Sequence, residues 1–281
     1  MVIVIKCSEE DESSARSAIS LTSLIGEDVN YEINSDIKYV IERKDDKGKV
    51  TEWFPCKGFE EFCISLKSMV SIVQCENAIK YYGLIPHPEG GFFKEIYRSA
   101  APPMESMGKT DERGRLIPAL KLEGRCRNEY TSIYWMATSK SHLLYMGRNL
   151  SPHIHYYHSG APYRYILIHP SGEVQDVIMG PNPELDHVQQ MVVGTDVYKC
   201  GCFDEKDPSL DYRYFLVGEG VAPGFDYRDF IFVSTKQLLE RLTDATDASV
   251  FKFQLERLKK FIHPNTEDRD FDRFYDEVKD S

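Results

Sequence analysis

The sequence predicts a mainly β protein, a sandwich or barrel flanked by a small N-terminal α/β unit and by C-terminal helices. Three observations lead there. From Thr131 to Val233, short runs of β-branched and aromatic residues follow one another closely, separated by Gly- and Pro-containing turns, as in all-β domains. Residues 1–75 instead alternate strand-like with helix-like patterns. Residues 236–281 carry apolar side chains at helical spacing. The expected organisation is an accessory unit over 1–75, a β sandwich or barrel over 76–235 and a helical segment over 236–281.

The elements follow in order. Val2–Ile5 is a β-branched strand, and Ser13–Ile25 has helical spacing with Gly26 as a natural stop. Asn30–Ile33 reads as a strand. Ile37–Glu42 and Val50–Phe54 flank a polar, Gly-containing segment and read as a hairpin, and Phe59–Val73 reads as a helix. This β-α-β-β-β-α order resembles the thioredoxin-like half of glutathione-transferase-type proteins, but no Cys or Ser stands as a thiol-activating residue at the first helix. Glu76–Gly83 reads as a second, short helix. Pro86, Pro88, Gly90 and Gly91 make a stiff turn followed by a permissive one, after which Phe92–Tyr97 is a strand. Residues 101–128, rich in Pro, Gly and charge, read as a long, lid-like loop. Strands are expected at Thr131–Ala137, Ser141–Met146, His153–Tyr157, Tyr163–His169, Glu173–Met179, His187–Val193, Tyr212–Val217 and Phe230–Val233. Pro170-Ser-Gly172 is a hairpin turn between two of them. Thr235–Leu242 and Val250–Ile262 are helices, and an acidic tail ends the chain.

Composition narrows the function. The 281 residues are 42% apolar and 28% charged, ordinary for a globular protein. A net charge of −11 repels phosphate backbones, which argues against nucleic acid and anionic membrane as partners. No apolar run is long enough to span a bilayer. The short apolar N-terminus is followed at once by acids, unlike a secretory signal. Seven scattered cysteines without a C-x-x-C pair fit reduced thiols and a cytoplasmic location. Cys200-Gly-Cys202 is a faint metal or redox signal, outweighed by the reading of ordinary strand or loop cysteines.

The stretch Gly147–Gly160 holds His153, His155 and His158. On a strand, His153 and His155 share a face, and two adjacent imidazoles begin a divalent-metal site. His158 is out of phase and joins them only across a bulge. The plain alternative is polar residues on a wet strand face. His87 and Glu89 either face a pocket or hydrogen-bond their own turn. Asp226 and Asp229, beside Phe225, Tyr227 and Phe230, read as surface charges next to core.

Two long motifs carry a family resemblance. LIPHPEGGFFKEIYRS (84–99) resembles the opening L-x-x-H-P-E-G-G-x-(Y/F)-x-E-x-Y-R-S of the DUF985, or cupin-5, family, and VGEGVAPGFDYRDF (217–230) resembles its closing V-x-P-G-F-x-(F/Y)-x-D-F. Thr131-Ser-Ile-Tyr134 and His158-Ser-Gly160-Ala-Pro162 also fit. The resemblance covers about 76–235 and implies a double-stranded β-helix (a cupin jelly-roll barrel), usually a homodimer, with a pocket at its open end and no known reaction. The chain departs from the family at its D-E-x-W-x-x-H-x-G stretch, where Pro152 and His153 stand in place of the acids and His155 in place of the Trp. A competing register, the general cupin G-x5-H-x-H, fits Gly147, His153 and His155 but lacks the following Glu.

Three functions follow from the barrel. The first is small-molecule binding in a pocket walled by Phe93, Tyr97, Tyr134, Tyr156 and Tyr163, each of which is otherwise plain core. The second is an enzyme. It would use a metal held by His153, His155 and either His158 or His87, or metal-free, epimerase-like proton transfer with His153 or His155 as base and Tyr134 as acid. The third is a non-enzymatic partner-binding protein using the extra segments.

Overall fold

A computed structural model describes residues 2–7, 12–20, 29–33, 39–45, 47–100, 127–203, 214–243, 248–264 and 266. The expected lid loop and the acidic tail fall almost wholly outside these residues. The chain divides into two units, Met1–Ala78 and Ile79–Ser281.

The first unit contains β1 (Val2–Cys7), α1 (Glu12–Ser20), β2 (Val29–Ile33), β3 (Tyr39–Lys44), β4 (Val50–Cys56) and most of α2 (Phe59–Tyr82). The sheet order is β2-β1-β3-β4, with β1 parallel to β2 and antiparallel to β3. Pairing of Ile5 with Ile41 brings β-branched side chains onto one face. There Ile3, Ile5 and Ile41 pack on Ala15 of α1 and on Phe62, Leu66 and Met69 of α2. Pro55 sits in β4 at the sheet edge, where its missing N–H breaks no central ladder. The two helices expected over 59–83 are one continuous helix, because Gln74 and Cys75 between them include no breaker. It ends where the sequence places the stop, at Gly83, which takes a left-handed φ of 62°.

The second unit is built from two antiparallel sheets. One is ordered β12-β9-β14-β7-β6-β5: Gln190–Val193, His153–Gly160, Tyr214–Val221, Thr131–Thr138, Phe92–Arg98 and Ile85–Pro86. The other is ordered β11-β10-β13-β8-β15: Val174–Met179, Tyr163–Ile168, Tyr198–Cys202, Leu144–Asn149 and Phe230–Phe232. Period-two alternation explains the layering. Tyr163, Tyr165 and Leu167 of β10 point between the sheets, into a core with Trp135 and Phe215. Ile166 and Ile168 point the opposite way, where Leu238 and Leu242 of α3 (Thr235–Thr243), Leu258 of α4 (Ala248–Leu258) and Phe261 cover them. This is the mainly β sandwich or barrel expected from the strand pattern, in the two-sheet jelly-roll form that the family resemblance implies.

Both faces of β10 and β13 are thus buried. That explains why β13, absent from the expected strands, escaped recognition: covered on both sides, VYKCGC shows no polar face to alternate with an apolar one. Cys200 and Cys202 point into the core beneath the helices, so they are strand residues and not a pocket-facing ligand pair. Among the described residues, no helix is long and apolar enough to cross a membrane.

Candidate functional site

Strand β9 presents His153 and His155 inward, buried at 5% and 0% exposure, with their rings 5.2 Å apart. His158 does not join them. The β9–β14 ladder shifts register between Tyr157 opposite Val217 and Ser159 opposite Leu216, which makes His158 the extra residue of a bulge. It lies exposed on the outer side, edge-on to Tyr134 at 5.4 Å. The three-histidine set is therefore corrected: Glu219 of β14, paired opposite His155, takes the third position. Ligand atoms of His153, His155 and Glu219 lie within 4.8 Å of one another. This set would suit a divalent cation with an open position.

A fourth group changes the chemistry. Lys199, on β13 of the facing sheet, places its Nζ 3.3 Å from His155 Nε2 and 3.4 Å from Glu219 Oε2. His155 Nδ1 is 3.3 Å from Glu219 Oε1 and 3.5 Å from the Tyr165 hydroxyl. These contacts assign the His155 proton to Nδ1, facing the carboxylate, and leave Nε2 to accept from Lys199. Burial and the Lys199 charge hold His155 well below the ordinary histidine range. The same two causes bring His153 down to about 3. His153 Nδ1 donates to the Ser151 carbonyl at 3.3 Å, and its buried Nε2 has no hydrogen-bond partner among the described residues. A neutral acceptor thus faces the cavity.

The turn between β5 and β6 supplies a second pair. Gly90 has φ 100°, and a Cβ there would stand 2.1 Å from the Leu143 carbonyl oxygen, so only glycine fits. The turn is fixed by Tyr145 N–H donating to Glu89 O (2.7 Å) and Trp135 Nε1 donating to Gly90 O (3.0 Å). This anchoring holds the Glu89 side chain in the cavity, 8% exposed, with its Oε1 4.0 Å from His87 Nε2. The Glu89 N–H donates to His87 Nδ1 at 3.1 Å, so the turn bond and the pocket position are both realised. Burial pushes the Glu89 carboxyl up to about 7, with Lys199 opposing and Glu219 adding. Burial, then Lys199, brings His87 down to about 3.

These groups border a cavity with about 800 Å³ of atom-free space counted out to its mouth. Phe93, Trp135, Tyr227 and Phe230 form its apolar wall, while the half-exposed Glu95–Arg98 pair (2.6 Å) stands at its rim. The other expected wall residues lie elsewhere. Tyr163 is closed into the inter-sheet core, its hydroxyl donating to the His142 carbonyl at 2.9 Å. Tyr97 is 54% exposed beside Tyr130. Tyr134 and Tyr156 alternate outward with the inward Trp135 and His155. Tyr134 packs on Tyr82 and His158 and so stands on the wrong face to act as the acid. The tyrosine beside the histidines is Tyr165, whose phenol burial pushes well up.

Two further corrections concern charge. Asp229 is not a surface group: it is 1% exposed and paired with Arg127 at 2.6 and 2.8 Å across 102 residues. Lys199 and Glu219 were not expected at all. Their only mark in the sequence is a lone charge in an apolar strand, VYKCGC and FLVGEGVA.

Several known proteins are similar to this chain. Residues 76–233 match the family model described as Cupin superfamily (DUF985). An uncharacterized protein of Saccharomyces cerevisiae is 31% identical over 178 residues, 63% of this chain and 84% of that one. A hypothetical protein from Leishmania major superposes with a TM-score of 0.51 at 25% identity, over 67% of this chain and 98% of that one. A protein from Shewanella oneidensis superposes with a TM-score of 0.49 at 22% identity, over 67% and 97%. With residues 76–233, which include both end motifs, matched by that model and a relative 31% identical, the chain belongs to the DUF985 family of the cupin superfamily.

Proposed function

We propose that the barrel pocket binds a small, mostly apolar, uncharged molecule and moves a proton on it without a metal. Glu89 carries the proton, since a carboxyl near 7 serves as acid or base at neutral pH. The unpartnered His153 Nε2 accepts from a ligand hydroxyl or amide. The aromatic wall excludes water and orients the apolar part.

The observation that carries the metal-free reading is the position of Lys199. Its ammonium lies within 3.4 Å of two of the three groups that would ligate a cation. It balances the Glu219 charge and repels a divalent ion. The test is metal content by elemental mass spectrometry after equilibration with Fe²⁺, Mn²⁺ or Zn²⁺. The wild type is expected to hold substoichiometric metal, and Lys199→Met, which removes the competing charge, is expected to take up more. Stoichiometric metal in the wild type would reject the reading. A two-histidine, one-carboxylate centre at His153, His155 and Glu219 would then be the better one, favoured by the open lone pair of His153.

A further inference from the structure

We propose that the pocket reads the amide group of a lactam, with Asn149 donating to its carbonyl oxygen and His153 accepting from its N–H. This rests on the metal-free reading of the site and names its ligand class.

The two side chains are set by one residue. The turn from β8 to β9 is Leu150-Ser151-Pro152, and Ser151 at its centre is buried. The Ser151 N–H donates to Asn149 Oδ1 at 3.1 Å, and the Ser151 carbonyl accepts from His153 Nδ1 at 3.3 Å. The first bond uses Asn149 Oδ1 as the acceptor, so the two N–H groups on Nδ2 remain for another partner. They have none among the described residues. The second bond puts the proton of the neutral ring on Nδ1, so His153 Nε2 is an acceptor, and it too is without a partner there. Pairing of Asn149 with Phe230 and of His153 with Val221 holds both backbones in place. Asn149 is 8% exposed and His153 5%, and both border the cavity.

A buried donor and a buried acceptor left unpaired are costly until something pairs them. Here they are of opposite kind and flank one short turn, so they face the cavity from one side. A ligand must bring them an acceptor and a donor side by side. A ketone or an alcohol serves only one of the two. An ionised carboxylate has no proton for His153 and meets the charge of Glu219. An open-chain secondary amide has both groups, but its trans bond points N–H and C=O in opposite directions. A ring holds the amide cis and sets the two on one edge. The flat ring suits the aromatic wall of Phe93, Trp135, Tyr227 and Phe230. Lys199 and Glu219 pair with each other at 3.4 Å and make no demand on such a ligand.

The experiment is isothermal titration calorimetry of the full chain at neutral pH with four bicyclic probes, on protein whose metal content is measured. Isocarbostyril carries the lactam edge. N-methylisocarbostyril blocks its donor, and isocoumarin replaces the N–H with a ring oxygen that faces the His153 acceptor. Naphthol offers a hydroxyl to His153 and asks nothing of Asn149. The wild type is expected to bind isocarbostyril about tenfold or more tighter than N-methylisocarbostyril or isocoumarin. Asn149→Asp keeps an oxygen for the Ser151 N–H but has no N–H to donate. It is expected to lose about tenfold for isocarbostyril while naphthol binding stays at the wild-type value, with folding checked by near-UV circular dichroism. Equal binding of the first three probes by metal-free wild type, no binding of isocarbostyril, or wild-type isocarbostyril affinity in folded Asn149→Asp would each overturn the lactam and leave the metal-free proton-transfer reading standing. Stoichiometric metal in the same sample overturns both.

Discussion

Glu89 and the histidines around it give the folded state opposing pH dependences. The Glu89 carboxyl has an ordinary value of 4.5 and is pushed to about 7 by burial. Between those values the unfolded chain loses this proton while the folded chain keeps it, so stability falls as pH rises through the window. A shift of this size corresponds to about 3 kcal/mol once pH exceeds 7. His87 and His153 act in reverse. Each is brought from 6.5 to about 3, so the folded state holds them neutral and loses stability as pH falls from 6.5 toward 3. Glu89→Gln removes only the first dependence. In urea unfolding, its stability relative to wild type is expected to rise by about 3 kcal/mol between pH 4.5 and pH 8. A difference that stays flat across that range would show that Glu89 is ionised at neutral pH and would remove the proton carrier. What the sequence offered at this scale was partial. The sequence leaves His87 and Glu89 as either turn or pocket residues, and they are both, because the N–H bond to His87 Nδ1 fixes the turn that aims Glu89.

At the scale of elements, α3, α4 and the turn ending in Phe261 are structural parts of the barrel. Phe261 and Leu238 are both 0% exposed against the back of β10 and β13, the strand that carries Lys199 on its other face. Phe261→Ala is expected to cost about 3–5 kcal/mol, transfer and cavity together, measured by chemical denaturation. The helices were plain in the sequence from their i, i+3, i+4 spacing. Their partner was not, since a helix pattern names the face that must be covered but not the surface that covers it. The same holds for the histidines. Alternation put His153 and His155 on one face and set His158 out of phase, and the bulge at His158 did not reverse this.

Across the whole molecule, the two units own separate cores: Met69 and its neighbours in one, Trp135 and its neighbours in the other. The two tryptophans also divide, Trp53 in the first unit and Trp135 in the second. In a Trp53→Phe background, fluorescence reports Trp135 alone. Met69→Ala is expected to destabilise the first unit by about 2–5 kcal/mol by far-UV circular dichroism, while the Trp135 transition stays at its wild-type midpoint. A matching shift in Trp135 would make the two units one cooperative block. Homodimerisation, implied by the family resemblance, is checked by light scattering, with an expected mass of twice the 32.4 kDa chain.

By itself the sequence determined the β-rich class, the order of most elements, the glycine turn and that His153 and His155 share one strand face. All of these follow from local rules of periodicity, turn chemistry and motif. Only the tertiary structure decided that Lys199 and Glu219 complete the site, that Asp229 is buried against Arg127, and that Tyr134, Tyr156 and Tyr163 are not in the pocket. Lys199 meets His155 across 44 residues and Asp229 meets Arg127 across 102. Period two fixes which way a side chain points along its own strand, but which strands lie beside it depends on how the whole chain pairs, and no local pattern encodes that.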